Sequence, residues 1–152
     1  MLRFTKRADY GLMAIHYIAV QEPLGPVSAK RIAEQFHIPG ELLAKILQRL
    51  AKRGLIVSQN GPKGGYVLAQ RPAQISIGDV IRALEGPVSI VSCMEESTDC
   101  PQLSHCNLRR PVQKLQAAMV QMLDSMSLAE LTSDDVPEML SMAGVKESDR
   151  WR

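Results

Sequence analysis

No run of about 18 apolar residues occurs in this chain, so the sequence offers no membrane-spanning helix. Its opening, MLRFTKRADYG, lacks the apolar centre of a secretory signal, and a soluble, cytoplasmic protein without a membrane partner is expected. Cysteine is scarce. The three present, Cys93, Cys100 and Cys106, lie within 14 residues; an odd number cannot all pair internally, and disulfides are rare in a reducing cytosol. The usual marks of catalysis are missing too: there is no glycine loop of P-loop or dinucleotide type and no H-E-x-x-H. His16, His37 or His105 would have to join a cysteine for nucleophilic chemistry, and the only paired carboxylates near the cysteines, Glu95 and Glu96, read as solvated. An enzyme is not expected.

What is present suits one ordinary core plus an appended element: 152 residues, 45% of them hydrophobic. The net charge of +2 conceals a division. Residues 1–71 hold 11 Lys and Arg against 4 Asp and Glu, whereas residues 72–152 hold 7 against 12. The basic half is where a polyanion would bind.

From Thr5 to about Gln21 the chain is apolar on most faces of a helix, and Glu-Pro-Leu-Gly-Pro ends it. Ser28 is placed to cap a second helix ending near Phe36, with Ile32, Ala33 and Phe36 on one face. After the turn His37-Ile38-Pro39-Gly40, a third helix from about Glu41 to Arg53 would bury Leu43, Ile46, Leu47 and Leu50 and turn Ala44, Lys45, Gln48, Arg49 and Lys52 outward, with Gly54 closing it. Helix, short turn, helix is the helix-turn-helix arrangement, whose second member enters the major groove of DNA. Residues 55–58 and 66–69 read as two strands joined by Gln59-Asn60-Gly61-Pro62-Lys63-Gly64-Gly65, a basic, glycine-rich hairpin of the kind that forms a wing. Ser76 and Asp79 make a capping pattern for a helix that buries Ile77, Val80, Ile81 and Leu84 and ends at Gly86.

Residues 88–108 have neither helical nor strand period, so order there must come from something other than a core, for which a bound inorganic centre would serve. A long helix resumes from about Arg109 to Met126. Val112, Leu115, Met119, Met122 and Met126 recur at three- and four-residue intervals, a seam that could pair with its own copy in a homodimer. Ser127 and Glu130 form a capping box for a short final helix, and the polar tail beyond Asp134 is expected to be disordered. The fold class is therefore mainly α with a small β-wing. Its divisions are a winged helix-turn-helix over residues 1–86, a cysteine loop over 87–108, a dimerisation helix and short C-terminal helix over 109–132, and a flexible tail over 133–152.

Double-stranded DNA is the expected partner. Lys45, Gln48 and Arg49 would reach base edges, Lys52 and Lys63 would contact phosphate, and Lys30 or Arg7 would add anchoring. The cysteine spacings, six and five intervening residues, are not the C-x₂₋₄-C pairs of zinc sites. Structural zinc, or a metal-free chain acting as a protein-binding module, remains the alternative to a redox centre.

The segments LRFTKRADYGL, ILQRLAKRGLI, NGPKGGYVLA, ISIGDVIRALEG, the three-cysteine loop and SLAEL, spanning about residues 2–132, together resemble the winged-helix iron–sulfur transcriptional regulators that include IscR, NsrR and RirA. The resemblance implies a homodimer, mostly a repressor, on a palindromic operator, with Cys93, Cys100 and Cys106 holding an iron–sulfur cluster that senses nitric oxide, oxygen or redox state, or iron–sulfur status. The histidine that completes the cluster in the assembly regulator falls at Arg109, which cannot serve. Asp9 matches the first-helix aspartate that completes the cluster from the partner subunit in the nitric-oxide sensor, which favours 4Fe-4S over 2Fe-2S; His105 is the alternative fourth ligand. A glutamate that helps set sequence choice in the family falls at Ala44, and a wing arginine at Asn60, so a family operator is not carried over.

Overall fold

The computed structural model describes residues 4–91, 99–102 and 104–133. Helices α1 (Lys6–Gln21), α2 (Ala29–Phe36), α3 (Gly40–Lys52), α4 (Ile77–Glu85), α5 (Arg109–Ser125) and α6 (Leu128–Thr132) surround a two-stranded antiparallel sheet, β1 (Ile56–Gln59) and β2 (Gly65–Leu68). The helix starts follow from their caps. Thr5, Ser28, Ser76 and Ser127 each accept a backbone N–H from the first turn, and Asp79 and Glu130 complete capping boxes with the last two serines. His37 ends α2 in the left-handed region with φ 53°, and Gly40 rather than Glu41 opens α3.

Leu43, Ile46, Leu47 and Leu50 are buried as their spacing predicts, and they meet Ile15 and Ile18 of α1, Ile32 of α2, Ile56 of β1 and Leu84 of α4 in one core. Gly11 is needed where α1 crosses α4, because a Cβ there would run into the Leu84 side chain. Each strand lies one residue from its expected place. Leu55 N–H still bonds back to Leu50 of the helix and only its carbonyl reaches the hairpin, accepting the Ala69 N–H, so the strand register runs from Ile56, and Gly65 enters the ladder opposite Gln59. The sheet also gains a contact that no sequence pattern announced: Val27 exchanges two backbone hydrogen bonds with Tyr66, at 3.0 and 2.8 Å. That places the start of α2 against the wing. Gly65 permits it, since a Cβ would lie 2.5 Å from the Val27 backbone.

The final short helix is part of this core. Leu128 is fully buried, its N–H bonds to the Ile75 carbonyl at 2.8 Å, and Ile77 N–H bonds to the Met126 carbonyl at 2.8 Å. The core therefore draws on residues beyond position 86. Met126 itself is extended (φ −89°, ψ 116°), because the chain must leave α5 there to reach the Ser127 cap; it belongs to the α4–α6 junction, not to a helical seam. Arg82 fastens the same junction, donating to Asp124 at 2.6 Å and to Asp79 at 2.7 Å. The tail beyond 133, expected to be disordered, lies outside the described residues, as does Cys93.

Candidate nucleic-acid interface and cysteine loop

Helix α3 has one apolar face sunk in the core and one polar face turned outward, where Lys45, Gln48, Arg49 and Lys52 line a shallow hollow. Among the described residues, Lys45, Gln48 and Lys52 have no hydrogen-bond or ion-pair partner. Arg49 differs from its sequence-based expectation: its guanidinium donates to the Leu84 carbonyl at 2.9 Å. Arg7 of α1 donates to the same oxygen at 3.4 Å. The cause is the end of α4, whose last carbonyls lack intrahelical donors and carry the negative end of the helix dipole. Two cations from neighbouring helices supply what α4 cannot. Arg49 thus joins the outward face of α3 to the point where α4 hands over to the cysteine segment. Beside it, Thr5 Oγ1 donates to the Glu85 carboxylate at 2.5 Å, fixing the start of α1 to the same place.

The wing tip is exposed from Ser58 to Lys63. Gly61 has φ 118°, and Gly64 N–H closes the turn on the Gly61 carbonyl at 2.9 Å. A Cβ on Gly64 would strike the Gln59 carbonyl, so the glycines shape a tip that presents Asn60 and Lys63 to solvent. Lys30 is exposed near Glu34 at 3.8 Å, an i,i+4 surface pair of little energetic weight. Lys30, Lys45, Gln48, Arg49, Lys52, Asn60 and Lys63 all lie exposed, as the sequence pattern places them, and Arg49 in addition donates to the end of α4.

Among the described cysteine-loop residues, Cys100 is half-buried and Cys106 exposed, both as free thiols. His105 is exposed, with its backbone N–H on the Gln102 carbonyl at 3.0 Å. Asp9 is exposed in the first turn of α1. Among the described residues of one protomer no three His, Cys, Asp or Glu side chains gather as a metal site. The thiols are of the donor type an iron–sulfur cluster takes, and a set of four would need Cys93 and one further ligand beside Cys100 and Cys106.

Helix α5 has no fully buried residue. Its expected seam divides into two stripes. Val112, Gln116, Met119 and Leu123 are half-buried toward the chain's own body, where Met119 and Leu123 share an apolar groove with Phe4, Ile81 and Val88. Leu115 faces out, Met122 stands at the rim of that groove and is partly exposed, and Leu108, just before the helix, continues their seven-residue spacing; the three are 60, 53 and 40% exposed for Leu108, Leu115 and Met122. At the near end, Gln116 bonds to the backbone of Val88 and Ile90, a contact that periodicity cannot disclose because it pairs a side chain with a segment of no regular pattern.

The acidic groups of the junction are perturbed. Burial pushes the Asp79 carboxyl up, but hydrogen bonds from Ser76 and Arg82, with the charge of Arg82, outweigh it and hold the group below its ordinary value. The Ser127 backbone N–H and hydroxyl hold Glu130 below its own. Arg82 is held above its ordinary value, first by Asp124 and then by Asp79.

A polar recognition-type helix, a glycine-shaped wing and a helix pair that supports them define a winged helix-turn-helix DNA-binding regulator. The profile of the Rrf2 family, described as iron-dependent transcriptional regulators, matches residues 4–134, and the chain belongs to that family. It is 36% identical over 133 residues to protein rrf2 of Nitratidesulfovibrio vulgaris, covering 88% of this chain and 89% of that one. It is 30% identical to the regulator NsrR of Shouchella clausii, with 91% and 95% covered. Among solved structures it is similar to CymR, the global cysteine regulator of Bacillus subtilis, with a TM-score of 0.72 at 32% identity, covering 90% of this chain and all of that one. T. potens IscR is similar with a TM-score of 0.68 at 30% identity, with 99% and 93% covered. The relatives are regulators and not enzymes. None of the described helices is long and apolar enough to cross a membrane.

Proposed function

We propose that this chain is a homodimeric repressor of a palindromic operator whose grip on DNA is set by an iron–sulfur cluster on Cys93, Cys100 and Cys106, with the partner's Asp9 as fourth ligand. The observation that carries the reading is the pair of uncommitted thiols, Cys100 and Cys106, in a chain similar along most of its length to NsrR and IscR. Asp9 is exposed on α1, so a second protomer could reach it. A carboxylate in place of a fourth thiolate favours 4Fe-4S and leaves one iron more weakly held, which is the chemistry a bound cluster supplies to a sensor of nitric oxide, oxygen or iron–sulfur supply. The outward Leu108–Leu115–Met122 stripe is the surface on which a second copy would seat its own.

In this reading Lys45 and Gln48 read base edges, Lys52, Lys63 and Lys30 hold phosphate, and Asn60 touches the backbone from the wing. Arg49 serves DNA indirectly, by fixing α3 against the end of α4. The first turn of α1 carries Asp9 and is tied by Thr5 and Arg7 to that same end, so loss of a ligand at Asp9 is felt where Arg49 is anchored.

Similarity to the cysteine regulator CymR favours a second reading in which the thiols act without a metal. Anaerobic reconstitution followed by iron and sulfide analysis separates the two. The cluster reading expects close to four irons per chain, falling in Asp9→Ala. Less than one iron per several chains, with or without zinc in its place, contradicts it.

A further inference from the structure

Gln116 is a polar residue within the otherwise apolar inward stripe of α5, between Val112 and Met119. Its carboxamide is used at both ends. Oε1 accepts the Ile90 N–H at 2.9 Å, and Nε2 donates to the Val88 carbonyl. In an extended chain the C=O of one residue and the N–H two residues on point to the same side, so one planar amide satisfies both as a neighbouring strand would. Glutamate offers only the acceptor at neutral pH and methionine neither. The segment so held begins at Gly86, whose φ of +86° turns the chain out of α4, and its last described residue, Val91, stands two positions before Cys93. Five residues separate Ile90 from Leu84, whose carbonyl receives Arg49 of the recognition helix.

We propose that Gln116 is a positioning residue for sensing: it registers the segment that delivers the first cysteine against α5, so a change at the cysteines reaches both α5 and, through Leu84 and Arg49, the DNA-reading helix. The coupling part rests on the proposed reading of the cysteines as the sensor. A residue that only filled space would leave the coupling intact when replaced by an apolar side chain of equal length. A residue that couples would not.

The test uses the full-length protein and Gln116→Met. In cluster-free protein, hydrogen exchange at the Ile90 amide is expected to accelerate about fivefold to tenfold, the effect of losing one net hydrogen bond, while the amides of α3 keep their protection. The second readout is the ratio of operator affinities between reconstituted and cluster-free protein. In the wild type it departs from one; in Gln116→Met, at equal iron content per chain, it moves at least threefold toward one. Unchanged exchange at Ile90, or an unchanged ratio at equal iron content, overturns the proposal. A wild type that takes up no iron, or whose ratio is one, defeats the cluster reading and with it the coupling, while the exchange result still decides whether the clamp exists. Should Gln116→Met fail to fold, Gln116→Glu keeps the size and the acceptor for Ile90 and removes the bond to Val88; its ratio of operator affinities is expected to move toward one at equal iron content, and an unchanged ratio is equally decisive against the proposal.

Discussion

Helices α3 and α5 are both amphipathic, yet they solve the burial of their apolar faces in opposite ways. Leu43, Ile46, Leu47 and Leu50 of α3 are enclosed by side chains of the same protomer. α5 buries none of its residues fully and leaves Leu115 and Met122 to solvent. The first helix is complete within one chain; the second presents a stripe that no described residue of the same chain covers. Polar groups differ likewise. On the outward face of α3, Arg49 bonds to its own molecule and Lys45, Gln48 and Lys52 stand exposed, whereas in α5 Gln116 bonds to the segment that leads to the cysteines.

The sharpest way to break this contrast is to truncate one apolar side chain in each helix. Leu47→Ala should cost about 2–5 kcal/mol, as buried leucines do. Leu115→Ala should cost under about 0.5 kcal/mol in a monomer, as surface changes do, yet shift the proposed dimer toward monomers. Urea unfolding and sedimentation at several concentrations check both, and a dimer indifferent to Leu115→Ala would remove the stripe from the interface.

Arg49→Ala is the next largest change. The loss of a charged hydrogen bond to the α4 terminus should lower stability by about 1–2 kcal/mol, read by thermal or chemical unfolding without DNA. If stability is unchanged and only DNA affinity falls, Arg49 belongs with Lys45 and Gln48 after all. At the wing, Lys63→Ala should weaken binding to all duplexes alike and lower the slope of log affinity against log salt by about one; an unchanged slope removes Lys63 from the phosphate contacts.

The smallest expected effect lies in acid. Asp79 and Glu130 have folded-state pKa values below the ordinary 3.8 and 4.5. The stability they contribute is therefore fully present above those ordinary values and is lost as pH falls through the lower folded-state ones. Denaturant midpoints should fall below about pH 4, and Asp79→Asn with Glu130→Gln should flatten that limb. An equally steep limb in the double variant would place the acid sensitivity elsewhere.

Much of the body was legible in the sequence because its signals are local. The four leucine and isoleucine positions of α3 follow a helical period, and Ser28, Ser76 and Ser127 announce their helices one residue ahead. The Gly61-to-Gly65 run announces the wing for the same reason. What stayed hidden depends on tertiary neighbours. Val27 pairs with Tyr66 through a single residue, too short to leave a pattern. Arg49 is outward by period, but a long side chain can fold back to an unsatisfied carbonyl that only the packing of α4 brings near. The apolar positions of α5 were visible, apart from Met126, which leaves the helix; their division between an inward and an outward side required knowing where the rest of the chain lies.

The most direct measurement of the central claim is an affinity comparison on one duplex, selected by the protein from a random-sequence pool. The anaerobically reconstituted protein and the same preparation stripped of iron and sulfide are titrated against it at fixed salt. The account predicts affinities that differ at least tenfold, about 1.4 kcal/mol. Equal affinities in the two forms, at confirmed iron occupancy in the first, would contradict it.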